Sequence, residues 1–133
     1  MILKDKVALI TGSGAGIGEA IAVAMAEAGA QVISVDIDGE AAQRTSDQAG
    51  EFQVKTKAIQ ADVGDLEDID RMVQATVDDF GRLDVIVNNT GVTRRAYIMD
   101  LKEEDWDRIH RVNAKGVFFC LQRAAKQMIE QGG

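Results

Sequence analysis

The sequence predicts an α/β fold, a doubly wound parallel sheet with helices on both faces. Three observations predict it. Short apolar runs alternate along the chain with stretches whose apolar residues recur every three or four positions. The first run passes directly into a glycine-rich turn and then a helix, over Val7-Ala8-Leu9-Ile10-Thr11-Gly12-Ser13-Gly14-Ala15-Gly16-Ile17-Gly18. Gly29 and Gly81 follow two of the periodic stretches, where helices end.

Four apolar residues in a row, Val7 to Ile10, suit a central parallel strand covered on both faces. From Ile17 the period changes, and Ile17, Ala20, Ile21, Ala24, Met25 and Ala28 form a helical stripe that Gly29 closes. Strand, glycine turn and helix in that order leave free backbone N–H groups at a positive helix end, which is a seat for a pyrophosphate. The fingerprint G-x-G-x-x-G is absent, because Ile17 stands where its third glycine would be. The spacing that fits is G-x-x-x-G-x-G on Gly12, Gly16 and Gly18, preceded by Thr11. Gln31 to Val35 is a second strand ending at Asp36, 24 residues after Gly12. An acid there can accept both hydroxyls of an adenosine ribose.

Asp38-Gly39 marks a turn, and Glu40 to Ala49 is a polar helix closed by Gly50. Val54 to Asp62 is a third strand, less apolar, as suits a sheet edge. Asp65 is placed to N-cap the next helix, with Glu67 and Asp68 in its first turn. The stripe of that helix is Leu66, Ile69, Val73, Val77 and Phe80, and Gly81 ends it. Leu83 to Val87 is the fourth strand and runs into Asn88-Asn89-Thr90-Gly91. Val92 to Asp100 is a polar loop carrying Arg94, Arg95 and Tyr97. A long helix follows from about Leu101 to Gln131, with a stripe of Trp106, Ile109, Asn113, Gly116, Val117, Cys120, Ala124 and Met128.

Thr11-Gly12-x-x-x-Gly16-x-Gly18 followed by Asp36 resembles the short-chain dehydrogenase/reductase family, and three later motifs extend the likeness. Asp62-Val63 is similar to the family's adenine-contacting pair. Asn88-Asn89-Thr90-Gly91 is similar to its Asn-Asn-Ala-Gly, with Thr for Ala, and Asn113 to its mid-helix active-site Asn. The resemblance implies a Rossmann-like sheet in the order 3-2-1-4, built with right-handed crossovers. It implies NAD as cofactor, contacted by Gly12, Gly14, Gly16, Ile17 and Gly18, by Asp36 and Ile37, by Asp62 and Val63, and by Asn89, Thr90 and Gly91. It also implies reversible oxidation of an alcohol to a carbonyl, on a small-molecule substrate, in a dimer or tetramer. Asn113 would hold a water in a proton relay; the plainer alternative is a bond to a backbone carbonyl one turn back. The loop 92–100 either borders the substrate pocket, as in the family, or is simply solvated.

NAD is expected over NADP, because the Asp36 carboxylate occupies the place of a 2′-phosphate and two anions repel. Ala15 and Ile37 stand where NADP-using relatives often carry Arg. The family's catalytic Ser and Tyr-x-x-x-Lys have no match. Tyr97 is the one tyrosine and Leu101 lies four residues on, while Ser13, Ser34 and Ser46 belong to the nucleotide half. Residues 1–133 are therefore expected to be a single dinucleotide-binding domain, incomplete at its C-terminus and inactive alone. The alternative is a non-catalytic NAD-binding module or pseudoenzyme that ends at Gly133. A methyltransferase also places an acid after its second strand, but the wide glycine spacing and Asn88 to Gly91 speak against one.

The 133 residues allow one domain with a real core, and 46% hydrophobic with 28% charged residues is ordinary for a soluble globular protein. A net charge of −7 argues against nucleic acid or an anionic membrane as partner. The lone Cys120 cannot form an internal disulfide and reads as buried core, and His110 as a helix-surface residue. No His, Cys or carboxylate cluster has metal-ligand spacing. The N-terminus is too short and charged for a signal peptide, no apolar run reaches membrane length, and a cytoplasmic location is expected. If the chain ends at Gly133, a fourth strand left as a sheet edge and a final helix bare on one side predict self-association or aggregation; the alternative is that residues 1–133 are part of a longer chain.

Overall fold

A computed structural model describes residues 1–133. Its elements run β1 (Val7–Thr11), α1 (Gly16–Glu27), β2 (Gln31–Asp36), α2 (Gly39–Gly50), β3 (Thr56–Gln60), α3 (Leu66–Phe80) and β4 (Val85–Val87). Then come α4 (Glu103–His110), a π-helical stretch (Arg111–Gly116) and α5 (Val117–Glu130). The strands form one parallel sheet in the order β3-β2-β1-β4, with Leu9 between Ile33 and Ile86. This is the expected order, with β3 at an edge.

Successive residues of β1 feed opposite cores, which is why the strand is apolar throughout. Val7 and Leu9 join Ile33, Val35 and Ile59 under α3 and α5, against Ile69, Met72, Cys120 and Ala124. Ala8 and Ile10 join Val32 on the other face, against Ala22 and Ala26 of α1 and Ala49 of α2. That second core is built largely from alanine, so α1 and α2 approach the sheet closely.

Several element ends follow the local chemistry. Gly29 takes φ +99°; its N–H bonds Ala26 O at 2.9 Å and the Ala30 N–H bonds Met25 O at 3.0 Å, a Schellman closure of α1. Asp38 caps α2 by accepting from the Ala41 N–H, and Asp65 caps α3 by accepting from the Glu67 N–H. Gly81 closes α3 at φ +80°.

Other boundaries differ from the sequence expectation. Gly50 is the last residue of α2, and the left-handed residue that turns the chain is Gln53, at φ +63°. Strand β3 is shorter than Val54 to Asp62, since only Thr56 to Gln60 pair with β2. Strand β4 begins at Val85, because Asp84 uses its side chain as well as its backbone to bond Val7. The long helix starts at Glu103 and is interrupted by the π-helical stretch. Trp106 and Asn113, expected on its buried stripe, are exposed, whereas Gly116, Cys120 and Ala124 are buried. The wider turn shifts the phase between α4 and α5, so one apolar stripe cannot serve both. No helix is long and apolar enough to cross a membrane.

Candidate functional site

The carboxyl ends of the four strands open into a cleft of about 260 Å³, lined by Gly12, Asp36, Ile37, Ala61, Asp62, Val63, Asn89, Thr90, Gly91 and Val92. It lies where the chain order reverses between β1 and β4, the switch point at which open α/β sheets receive ligands. Most of the nucleotide residues read from sequence meet here. Gly14, Gly16, Ile17 and Gly18 do not line the cleft. Gly16 and the exposed Ile17 form the first turn of α1, while Gly14 and the buried Gly18 pack behind the loop. Ala61 and Val92 are additional wall residues; each is a plain apolar neighbour of a motif, with no signal of its own.

Thr11 ties the two central strand ends together. Its Oγ1 donates to Val87 O at 3.3 Å and accepts from the N–H groups of Asn89 and Thr90 at 3.1 and 3.3 Å. Asn89 Nδ2 returns a bond to Gly12 O at 3.1 Å. This interlock explains two glycines of the motif. Gly12 holds φ +62° with Thr90 Cα against it, and a Cβ on Gly18 would overlap Gly12 O and come within 2.5 Å of Asn89 Nδ2. Beneath the loop, Ser13 and Ser34 share a hydroxyl bond of 2.7 Å, and Thr45 Oγ1 donates to Ser13 O. Both serines are fully buried, so they brace the loop.

Two carboxylates face the cleft in fixed orientations. Asp36 accepts from the Gly14 N–H on Oδ2 and the Asp38 N–H on Oδ1, both at 2.9 Å. A Cβ on Gly14 would sit 2.8 Å from that Oδ2, so the loop needs glycine to reach the acid. Asp62 accepts from the Gly64 N–H at 2.8 Å and from Arg111 Nη1 at 3.0 Å. Burial pushes the Asp62 carboxyl up, but those hydrogen bonds and the Arg111 charge outweigh it and hold the group below the usual carboxylate range.

The donor set suits a phosphate-bearing nucleotide. Ala15 at the N-cap of α1 makes no side-chain cap bond, so the first-turn N–H groups keep no side-chain acceptor. The buried Thr90 Oγ1 has no hydrogen-bond partner in the protein. Asn113 Oδ1 accepts from the Val92 N–H at 2.8 Å and its Nδ2 donates to Val92 O at 2.7 Å. Its amide therefore bonds the chain leaving the cleft and not a carbonyl of its own helix.

The remaining reactive side chains lie elsewhere. Tyr97 is 85% exposed, on the loop that carries Arg94, whose Nε lies 3.8 Å from Asp105 Oδ2. His110 is exposed and stacks on Trp106, with ring centroids 4.1 Å apart. Cys120 is buried, and burial pushes its thiol up to about 11.

Comparison with known proteins agrees with this fold. The family model described as short chain dehydrogenase matches residues 6–133. The chain is 41% identical over 130 residues to (2S)-[(R)-hydroxy(phenyl)methyl]succinyl-CoA dehydrogenase subunit BbsD of Thauera aromatica, covering 98% of this chain and 52% of that protein. It is 41% identical over 131 residues to the 3-oxoacyl-[acyl-carrier-protein] reductase FabG of Thermotoga maritima, covering 98% and 53%. The crystal structure of NAD+-bound xylitol dehydrogenase superposes with a TM-score of 0.93 at 32% identity, covering 98% of this chain and 51% of that one. The chain thus spans about half the length of the curated relatives it matches.

Proposed function

The chain belongs to the short-chain dehydrogenase family, and from that premise we propose that it is the cofactor-binding part of an NAD(H)-dependent oxidoreductase interconverting an alcohol and a carbonyl. The observation that carries the reading is the cleft where Gly12, Asp36, Asp62 and Asn89 to Gly91 converge from four strand ends. A bound nicotinamide dinucleotide supplies or takes up the hydride. In this reading the first-turn N–H groups after Gly16 bind its pyrophosphate and Asp36 accepts from the adenosine ribose. Asp62 and Val63 meet the adenine, and Asn89, Thr90 and Gly91 line the opposite half. The paired bonds from Asn113 to Val92 keep that half open and in register.

The proton accompanying the hydride has no donor beside this cleft. Tyr97 projects into solvent, and residues 1–133 contain no Tyr-x-x-x-Lys. We therefore assign proton transfer to residues beyond Gly133, which fits the half-length cover of the relatives. Residues 1–133 are on this account one domain, incomplete at its C-terminus, that binds NAD(H) without turning over. The relatives' names include reactions on thioesters of CoA and of acyl-carrier protein, and we propose a small carbonyl or alcohol substrate. A dimer or tetramer belongs to the same proposal, on the family likeness alone. A cytoplasmic location belongs to the same reading, since a nicotinamide enzyme draws on the cofactor pool there.

The test is to titrate NADH and NADPH by fluorescence and then to follow NADH oxidation by absorbance with a panel of ketones and 3-oxoacyl thioesters. Residues 1–133 and the product of the whole reading frame are compared. NADH should bind more tightly than NADPH, and Asp36→Ala with Ile37→Arg should narrow or reverse that preference. Turnover by the longer protein alone supports the fragment reading, and turnover by neither favours a non-catalytic NAD-binding module. Tighter NADPH binding by the unaltered protein refutes the NAD assignment.

A further inference from the structure

Arg111 opens the π-helical stretch, far from Asp62 in sequence, yet its Nη1 reaches Asp62 Oδ2 at 3.0 Å. The other oxygen of that carboxylate, Oδ1, is held by the Gly64 N–H at 2.8 Å. The residue's own N–H donates to Asp68 Oδ2 at 2.8 Å, so its backbone is fixed as well. The guanidinium lies over Gly64: a Cβ there would overlap Nη1 and come within 2.8 Å of Cζ. Glycine at position 64 is what lets Arg111 reach the acid.

Held on both oxygens, the carboxylate keeps one orientation, and each oxygen retains a lone pair for a further donor. Asp62 itself lines the cleft. The pair is half open to water, with side chains 42% and 29% exposed, so its direct contribution to stability is small. Orientation is the property it controls. Resting on the reading that Asp62 meets the adenine, we infer that Arg111 is a positioning residue for the cofactor. It fixes the Asp62 carboxylate to receive adenine's exocyclic amino group, and ties the adenine end of the cleft to the helical stretch that carries Asn113.

The experiment uses the protein expressed from its whole reading frame. Dissociation constants are measured for NADH and for its hypoxanthine analogue, which presents a carbonyl where adenine has its amino group. The unaltered protein should prefer NADH. Arg111→Gln should weaken NADH by about fivefold, the upper range for a solvent-exposed pair, and leave the analogue little changed. Arg111→Lys should restore most of the preference. Asp62→Asn should lower it too, with no further loss in the double variant. Equal weakening of both ligands by Arg111→Gln would mean a general structural role and overturn the inference. So would an unchanged preference in Arg111→Gln beside a reduced one in Asp62→Asn, which leaves the adenine reading standing. An unchanged preference in Asp62→Asn removes that reading and the inference with it.

Discussion

Asn113 clasps the backbone of Val92 with both ends of its amide, accepting from the N–H at 2.8 Å and donating to the carbonyl at 2.7 Å. It imitates a strand pairing at the point where β4 has ended and the cleft begins. The first prediction follows from that pair of hydrogen bonds. Asn113→Ala should destabilise the protein by about 1 kcal/mol, the scale of a solvent-exposed hydrogen-bond pair. Asn113→Asp should do no better, because its second oxygen would face the Val92 carbonyl. The measurement is thermal unfolding with amide hydrogen exchange at Val92; exchange as slow as in the unaltered protein would count against the clasp.

Asp84 supports the second prediction. Its carboxylate accepts from Arg82 Nε at 2.8 and 2.9 Å and from the Val7 N–H at 2.9 Å, fastening the approach to β4 beside the start of β1. The hydrogen bond from Arg82 chiefly, then the Val7 N–H and the charges of Arg82 and Lys6, outweigh burial and hold the carboxyl below its ordinary range. A lowered folded-state pKa adds stability that is present above the unfolded value, about 3.9, and is lost as pH falls through the folded one. Arg82 is 42% exposed, so screening reduces its share. Asp84→Asn should therefore cost about 1–2 kcal/mol at neutral pH. In denaturant unfolding across pH, that gap should close below about pH 4; a gap constant down to pH 2 would assign it to packing.

How much of this was legible follows the range of each interaction. The strand-turn-helix of Val7 to Gly18, the stop at Gly29 and the cap at Asp65 depend on near neighbours, and each is where the sequence puts it. Asp36 and Asp62 read as strand-end acids because the alternation of elements fixes where strands end. Side-chain partners across the sheet did not read through. Nothing local pairs Arg111 with Asp62, Asn113 with Val92, or Thr11 with Asn89. The π-helical stretch is not legible either, because one added residue per turn leaves no mark in a three-and-four pattern. Trp106 falls off the buried stripe for the same reason, and its ring stacks on His110 of its own helix.

Thr90 gives a third prediction. Its Oγ1 is buried without a partner, and an unsatisfied buried polar atom costs roughly 1–3 kcal/mol. Thr90→Val keeps the shape and removes the hydroxyl, so the ligand-free protein should gain about 1 kcal/mol. If the hydroxyl serves the nucleotide, the stabilisation produced by saturating NADH should shrink in the same variant. Calorimetry with and without NADH measures both, and a lower Tm in the ligand-free variant would show that the hydroxyl has a partner after all.

The last prediction separates two glycines of one motif. Gly16 holds φ +59° with nothing within 4 Å of the place its Cβ would take, so Gly16→Ala meets only backbone strain, about 1–2 kcal/mol. Gly18 lies within α1, where alanine is favoured, but its Cβ would collide with Gly12 O and Asn89 Nδ2. Gly12 O accepts from Asn89, and Asn89 N–H bonds Thr11, so relief of the collision must part β1 from the turn after β4. Gly18→Ala should lose about 1–3 kcal/mol by overpacking despite the gain in helix propensity. It should also weaken NADH by more than Gly16→Ala does, because the displaced atoms line the cleft. Unfolding midpoints and NADH dissociation constants for the two variants decide the matter. If Gly18→Ala binds NADH as well as the unaltered protein, the interlock of Gly12, Gly18 and Asn89 does not shape the site.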